Sequence, residues 1–419
     1  MWKTRSFRSA FVRISFLFLI LGGPGTCGND ALSAQNIRLG NGDKVHIPFT
    51  YQNNFIIVSV VFQNIFPLQF IFDTGAEHTL LTKREITDFL DIDYDRSFPI
   101  RGSDLDTQLV AFLATGISLK VGDMDLSNRS VLVLDRDVFR FEDFAGTDIH
   151  GILGADFFWP YVVKIDYRRQ VITLMNPGGF EPKRKYTRHP IQVFRNKPYI
   201  TADVKLAEDS LVRTKLLLDT GASLGLLLYT DSHPAIKVPD HALESNIGWG
   251  LGGYLKGFLG RVDRFKIKDY ELPGVITNYQ NIPDSLDSDF INSRNGIVGN
   301  VLLSRFTVVI DYHQENLYLK PTRKWKKKFK YDRSGLMIVA GGPAMDQYTV
   351  FHIIEGSPAD RAGVQVGDRI LKINGIRTRA LSIDGIYRRL RKRVGKRIKL
   401  KLLREERELK VVFHLEKLI

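Results

Sequence analysis

The sequence predicts a mainly β protein made from a duplicated unit, with a smaller α+β segment at its C-terminal end. A short motif occurs twice, as Phe70-Ile71-Phe72-Asp73-Thr74-Gly75-Ala76 and as Leu216-Leu217-Leu218-Asp219-Thr220-Gly221-Ala222. Each copy is followed by Gly-Ile-apolar-Gly, at 151–154 and 296–299, so that the last glycine lies 81 residues past Asp73 and 80 past Asp219. The stretches between are rich in β-branched and aromatic residues, as in Phe55-Ile56-Ile57-Val58-Ser59-Val60-Val61, a composition and alternation that read as strands.

At 419 residues, two or three domains are expected, and an apolar fraction of 44% permits sizeable cores. Lys3, Arg5, Arg8 and Arg13 precede the apolar run 14–21, which is too short to span a bilayer comfortably and reads as a secretory signal over 1–34, cleaved between Ala34 and Gln35. The alternative is a lipidated Cys27, as in bacterial lipoproteins, although Pro24-Gly25-Thr26 departs from the usual pattern before such a cysteine. Either way an exported protein is expected, periplasmic or extracellular. Cys27 is the only cysteine, so no intrachain disulfide and no cysteine-based metal cluster can form.

Along the chain, 45–72 reads as strands, 83–90 as a short helix, and 110–134 as strands broken by Gly116 and Gly122. The basic, polar stretch 183–188 suits a link, which divides a first lobe (35–185) from a second (186–321). The runs 162–167 and 307–312 both end in Ile-Asp-Tyr and lead into another strand. A duplicated unit packs on itself, and a pseudo-twofold axis would bring Asp73 and Asp219 together.

Asp-Thr-Gly-Ala followed about eighty residues later by apolar-apolar-Gly resembles the retropepsin-like aspartic proteases. Retroviral members assemble the site from two identical chains; this chain resembles a fused, single-chain version over 45–320. The resemblance implies a two-lobed, duplicated retropepsin-like β-barrel with Asp73 and Asp219 as the catalytic pair. It also implies that Thr74 and Thr220 hydrogen-bond across the axis, and that Gly75 and Gly221 let their amides approach the carboxylates. Ala76 and Ala222 complete the two loops, where pepsin-type relatives carry Ser or Thr. Two facing carboxylates share one proton; the ionised member activates a water and the protonated one supports the carbonyl oxygen, with neither metal nor cofactor required.

Gly248-Trp249-Gly250-Leu251-Gly252-Gly253 satisfies GxGxxG, but the glycine-rich sequel lacks the helix a phosphate loop needs. Gly250 lies 31 residues past Asp219, and Gly102 lies 29 past Asp73. Retropepsin-like proteins carry their flaps at that distance, so Gly102, Ser103, Trp249 and Gly250 are the candidate flap residues. One flap is polar and the other glycine-rich, which points to an asymmetric cleft.

The stretch 322–333, with Lys324-Trp325-Lys326-Lys327-Lys328-Phe329-Lys330, reads as a solvated basic linker; its functional alternative is peripheral contact with an anionic envelope surface. Beyond it, Ser357-Pro358-Ala359, Ala362-Gly363, Gly367-Asp368-Arg369-Ile370 and Ile373-Asn374-Gly375 resemble a bacterial PDZ domain over 334–419. Such domains add a peptide strand beside a helix and receive a terminal carboxylate in a Gly-apolar loop. The resemblance assigns that loop to Gly335, Leu336 and Met337, and the groove helix to 383–394.

Net charge is +14, yet no stacking-rich recognition motif accompanies it, so no nucleic-acid partner is expected. Nine histidines include no HExxH pattern, and His78 reads as a surface or supporting residue. The reading is therefore an exported monomeric endopeptidase acting on peptides or proteins, with a PDZ module that binds a peptide or C-terminus. The alternative is a catalytically silent adaptor that uses the same cleft and groove.

Overall fold

The computed structural model describes residues 39, 44–102, 105, 107–137, 140–206, 210–250, 253–283 and 294–419, without the side chains of 247–250 and 253–254. The expected leader and Cys27 lie outside the described residues. The fold is mainly β.

Each lobe begins with a hairpin. Lys44–Gln52 turns at Asn53-Asn54 into Phe55–Phe62, and Thr187–Phe194 turns at Arg195-Asn196 into Lys197–Lys205. All four turn residues have left-handed φ, the two-residue geometry whose twist matches antiparallel strands. The next strand, Phe66–Phe72 or Leu211–Leu218, runs directly into the aspartate. A second strand lies parallel to its end: Phe70 pairs with Gly151 in one lobe and Leu216 with Gly296 in the other. That second strand also pairs antiparallel with Leu80–Leu81 or Leu226–Tyr229. Each Gly-Ile-apolar segment is thus threaded between two strands beside an aspartate loop and is buried almost throughout.

The lobes share one sheet. Its antiparallel ladder runs Lys44–Gln52, Val171–Met175, Val162–Asp166, Phe306–Asp311, Asn316–Pro321 and Thr187–Phe194. Its central pair joins the two Ile-Asp-Tyr strands, with Val308 opposite Ile165 and Ile310 opposite Val163. Equivalent strands paired antiparallel place the pseudo-twofold axis between them. One apolar core crosses that axis and includes Phe72, Phe158, Phe265 and Phe306.

The helix expected at 83–90 forms as Arg84–Phe89. Gln108–Val121 and Met124–Leu134 make a long hairpin in which Gly122, at positive φ, turns the chain, while Gly116 sits in a register shift between Ala114 and Ile117.

The last segment folds around its own core, which includes Ile338, Val350, Ile370, Ile386 and Leu402. Its sheet contains Leu336–Gly341, Gln347–Ile353, Arg369–Ile373, Arg397–Arg404 and Arg407–His414. Its helix is Ile383–Leu390, shorter than the expected 383–394: past it the Lys392 amide reaches back only three residues, to the Arg389 carbonyl, and Gly395, at positive φ, turns the chain toward the next strand.

The basic stretch is not a free connector. Trp325 packs edge-on against Tyr270 at 5.7 Å, and Phe329 is buried beneath the Arg305 guanidinium, 3.9 Å from its ring centroid. The five lysines 324, 326, 327, 328 and 330 remain exposed. Two aromatics four residues apart give the segment an apolar face that docks on the second lobe while the charges stay in water.

Candidate active site

Both aspartates stand where a buried strand leaves the core, and their loops cross-link. The Thr74 amide donates to Thr220 Oγ1 at 3.0 Å, and the Thr220 amide donates to Thr74 Oγ1 at 3.1 Å. Each hydroxyl then donates to a carbonyl across the axis, Thr74 to Leu218 at 2.7 Å and Thr220 to Phe72 at 2.8 Å. Both threonines are fully buried, so the four bonds satisfy groups that water cannot reach.

The glycines follow from the same closeness. A methyl group on Gly75 would lie 2.7 Å from the Asp219 carboxyl carbon, and one on Gly221 would collide with the Asp73 carboxyl. Lacking it, the Gly75 amide donates to Asp73 Oδ1 at 2.6 Å, the Gly221 amide to the same oxygen at 3.2 Å, and the Ala222 amide to Asp219 Oδ1 at 2.8 Å. Burial raises the pKa of both carboxyls. For Asp219 the charge of Asp73 raises it further, whereas amide donors oppose the rise at Asp73. Two carboxyls held this close titrate as a pair rather than separately.

The first candidate flap is a hairpin that joins Arg96–Arg101 to Gln108–Val121, closed by a Gly102 amide bond to the Thr107 carbonyl at 2.8 Å. Leu105 at its tip is buried among Leu227, Tyr229 and Leu255 of the second lobe, so this flap reaches across the axis. Ser103 lies outside the described residues. The second hairpin joins Leu243–Gly250 to Gly253–Ile267, with Trp249 opposite Tyr254 and Gly250 opposite Gly253 near its tip. The GxGxxG pattern therefore begins in a hairpin strand rather than at a strand-to-helix turn.

Several residues at the site were not singled out in the sequence. Asn300, fully buried, donates to the Thr220 carbonyl at 2.5 Å and the Asn54 carbonyl at 2.8 Å and accepts from Tyr167 at 2.7 Å, tying the second loop to the first lobe. Its place directly after Gly299 was the available signal. Arg294 donates to the Tyr229 hydroxyl at 3.1 Å, and its charge opposes the rise at Asp219. Burial pushes the Lys197 ammonium down to about 8, with Arg294 adding to the effect and Glu77 and Asp73 countering it. Exposed His78 stands 3.7 Å from Asp156, whose hydrogen bond raises its pKa.

In the last segment, the Ser334 and Gly335 amides donate to Asp332 Oδ1 at 2.9 and 2.8 Å, and the Leu336 amide donates to Ser334 Oγ at 3.2 Å. Buried Asp332 thus caps the amides at the start of the loop. Next to Met337, the Ile338 amide donates to the Tyr387 hydroxyl at 2.9 Å, joining the strand edge to the helix. The same strand lies against helix Phe141–Ala145 of the first lobe. Phe144 meets Phe351 edge-on at 5.6 Å, and the Asn53 amide donates to Asp384 Oδ2 at 2.9 Å.

Two known families match parts of the chain, one within the first lobe and one within the last segment. Residues 58–157, which include Asp73, match the family described as aspartyl protease. Residues 352–404 match the PDZ domain family. The class defined is an aspartyl-protease-like domain followed by a C-terminal PDZ domain. No curated protein matches the chain.

Proposed function

We propose that the protein is an exported, retropepsin-like aspartic endopeptidase in which one chain supplies both halves of the site. The observation that carries this reading is the reciprocal Thr74–Thr220 lock, which holds each aspartate loop against the other loop's glycine. In the proposed mechanism Asp73, with its amide donors, is the charged member. It takes a proton from a water held between the carboxyls as that water attacks the substrate carbonyl. Asp219 carries the shared proton and donates it to the carbonyl oxygen as the water oxygen bonds to the carbonyl carbon. Asp73 then passes the proton it took to the amide nitrogen as the C–N bond breaks, and Asp219 recovers a proton from the gem-diol hydroxyl as the new carboxyl forms. Thr74, Gly75, Ala76, Thr220, Gly221 and Ala222 position the pair, and the two hairpins cover the substrate.

The PDZ domain is proposed to govern access of peptide or protein substrates. Its contact with helix Phe141–Ala145 supports this, because that helix also lies against the Leu243–Gly250 flap strand. Export is proposed from the basic-then-apolar start of the chain. The test is turnover of an unfolded protein substrate by the chain lacking residues 1–34, beside its Asp73→Asn and Asp219→Asn forms. Loss of turnover in both variants, with the fold retained, supports the reading; full turnover in either overturns the dyad.

A further inference from the structure

The two sides of the cleft have unlike walls, and register identifies their counterparts. Gly151 and Gly296 occupy equivalent pairings beside the aspartate strands, so Ile149 corresponds to Arg294 and Ile152 to Ile297. The Asn53-Asn54 and Arg195-Asn196 turns are equivalent, so Phe55 corresponds to Lys197 and Ile57 to Tyr199. In the first lobe Phe55, Ile57, Ile149 and Ile152 belong to one buried apolar cluster, bordered by Ala76 of the aspartate loop and by Ile100 and Leu109 of the flap. In the second lobe three of those four places hold Lys197, Tyr199 and Arg294.

These groups form one cationic cluster. Arg294 is bonded to Tyr229 and lies 5.6 Å from that ring's centroid. Its charge also favours the ionised form of Tyr199 and raises the cost of a charged Lys197. Its proximity to Asp219 puts the cluster beside the reacting carboxyls, and Leu105 of the first flap closes over the neighbouring Tyr229. Arg294 and Lys197 thus set two basic groups together in partly dehydrated surroundings. A substrate carboxylate there would gain charge-assisted hydrogen bonds, a neutral amide would gain less, and a basic side chain would be repelled.

We propose that the second-lobe side of the cleft, at Arg294 and Lys197, is a subsite for an acidic substrate side chain, opposite a first-lobe subsite for a large apolar one. This rests on the peptidase reading for its consequence in cleavage but not for its consequence in binding. It names a substrate class: peptides in which a Glu or Asp lies near the scissile bond on one side and an aromatic or branched aliphatic residue on the other.

The test uses paired peptides that differ only by Glu or Gln at the acidic position, with Phe across the scissile bond. Their kcat/KM ratio is measured with the wild type, Arg294→Leu and Arg294→Lys. Their Kd ratio is measured by fluorescence anisotropy on the Asp73→Asn protein, with and without Arg294→Leu. The expected result is a preference for Glu of about tenfold or more in both ratios, abolished by Arg294→Leu and partly kept by Arg294→Lys. A role confined to tuning the dyad would move the pH profile for both peptides alike and leave the ratios near one, which overturns the subsite. Preference in binding without turnover keeps the subsite and overturns the peptidase reading. Turnover without preference does the reverse.

Discussion

Thr74 and Thr220 each donate an amide proton to the other's hydroxyl oxygen, at 3.0 and 3.1 Å, across the axis that relates the lobes. Each hydroxyl also donates to a carbonyl of the opposite strand, so the pair forms a closed set of four hydrogen bonds between fully buried threonines. Thr220→Val is expected to destabilise the body by about 2–4 kcal/mol, because it leaves a buried amide and a buried carbonyl without partners. Thr220→Ser, which keeps the hydroxyl, should recover most of that loss. Chemical denaturation of the two variants checks this; equal stability of Val and Ser forms would show that the hydroxyl does not hold the lobes.

The dyad itself should weaken the fold at neutral pH. Burial raises both carboxyl pKa values, and the charge of Asp73 raises that of Asp219 further. A carboxyl whose folded pKa exceeds its unfolded value contributes stability that is present below the unfolded pKa and lost as pH rises through the folded one. Asp219→Asn should therefore melt a few degrees above the wild type at pH 7, and the difference should shrink towards pH 4. Thermal melts at the two pH values measure it, and a lower melting temperature for the variant at pH 7 contradicts the assignment.

How much of this could be read from the sequence depends on spacing. The aspartate pair was legible because two intact motifs recur with the same downstream Gly-x-x-Gly, and strand alternation announced the β fold. Arg294 and Lys197 were not legible. An isolated cation carries no spacing signal, and their place in the cleft emerges only once strand register aligns them with Ile149 and Phe55. The docked stretch was obscured differently: Trp325 and Phe329 stood four apart in plain view, but the lysines around them suggested solvent. Asp332-Arg333-Ser334-Gly335 is a side-chain turn signal that sits where the basic stretch meets the PDZ-like segment.

Alanine after each Asp-Thr-Gly sets a direction for the pH optimum. The neighbours of the carboxyls are backbone amides, including that of Ala222 at 2.8 Å. Ala76→Ser with Ala222→Ser would add hydroxyl donors to the charged form and lower the pair's pKa. The wild type should work best in the mildly acidic to near-neutral range, and the double variant at lower pH. A pH–rate profile of both forms decides: an optimum near pH 3 for the wild type, or no acidward movement in the variant, would mean that other groups set the titration.

Removal of residues 334–419 should leave a folded two-lobed body, since Trp325 and Phe329 of the docked stretch remain and the last segment has its own core. Helix Phe141–Ala145 would lose its packing against the PDZ strand Leu336–Gly341, and Phe144 its contact with Phe351. Hydrogen exchange in 141–146 should quicken in the truncated form while the Phe66–Phe72 strand stays protected. Unchanged exchange in the helix would show that the PDZ contact does not hold it; loss of protection in the strand would make the last segment part of the body's fold.

The most direct measurement is mass spectrometry of peptides released from a mixed peptide library, incubated in ¹⁸O-enriched water with the wild type, Asp73→Asn and Asp219→Asn. Direct attack by a water held between Asp73 and Asp219 predicts new C-termini that carry ¹⁸O with the wild type and no new termini with either variant. New termini produced by Asp73→Asn or Asp219→Asn at rates comparable to the wild type would contradict the account.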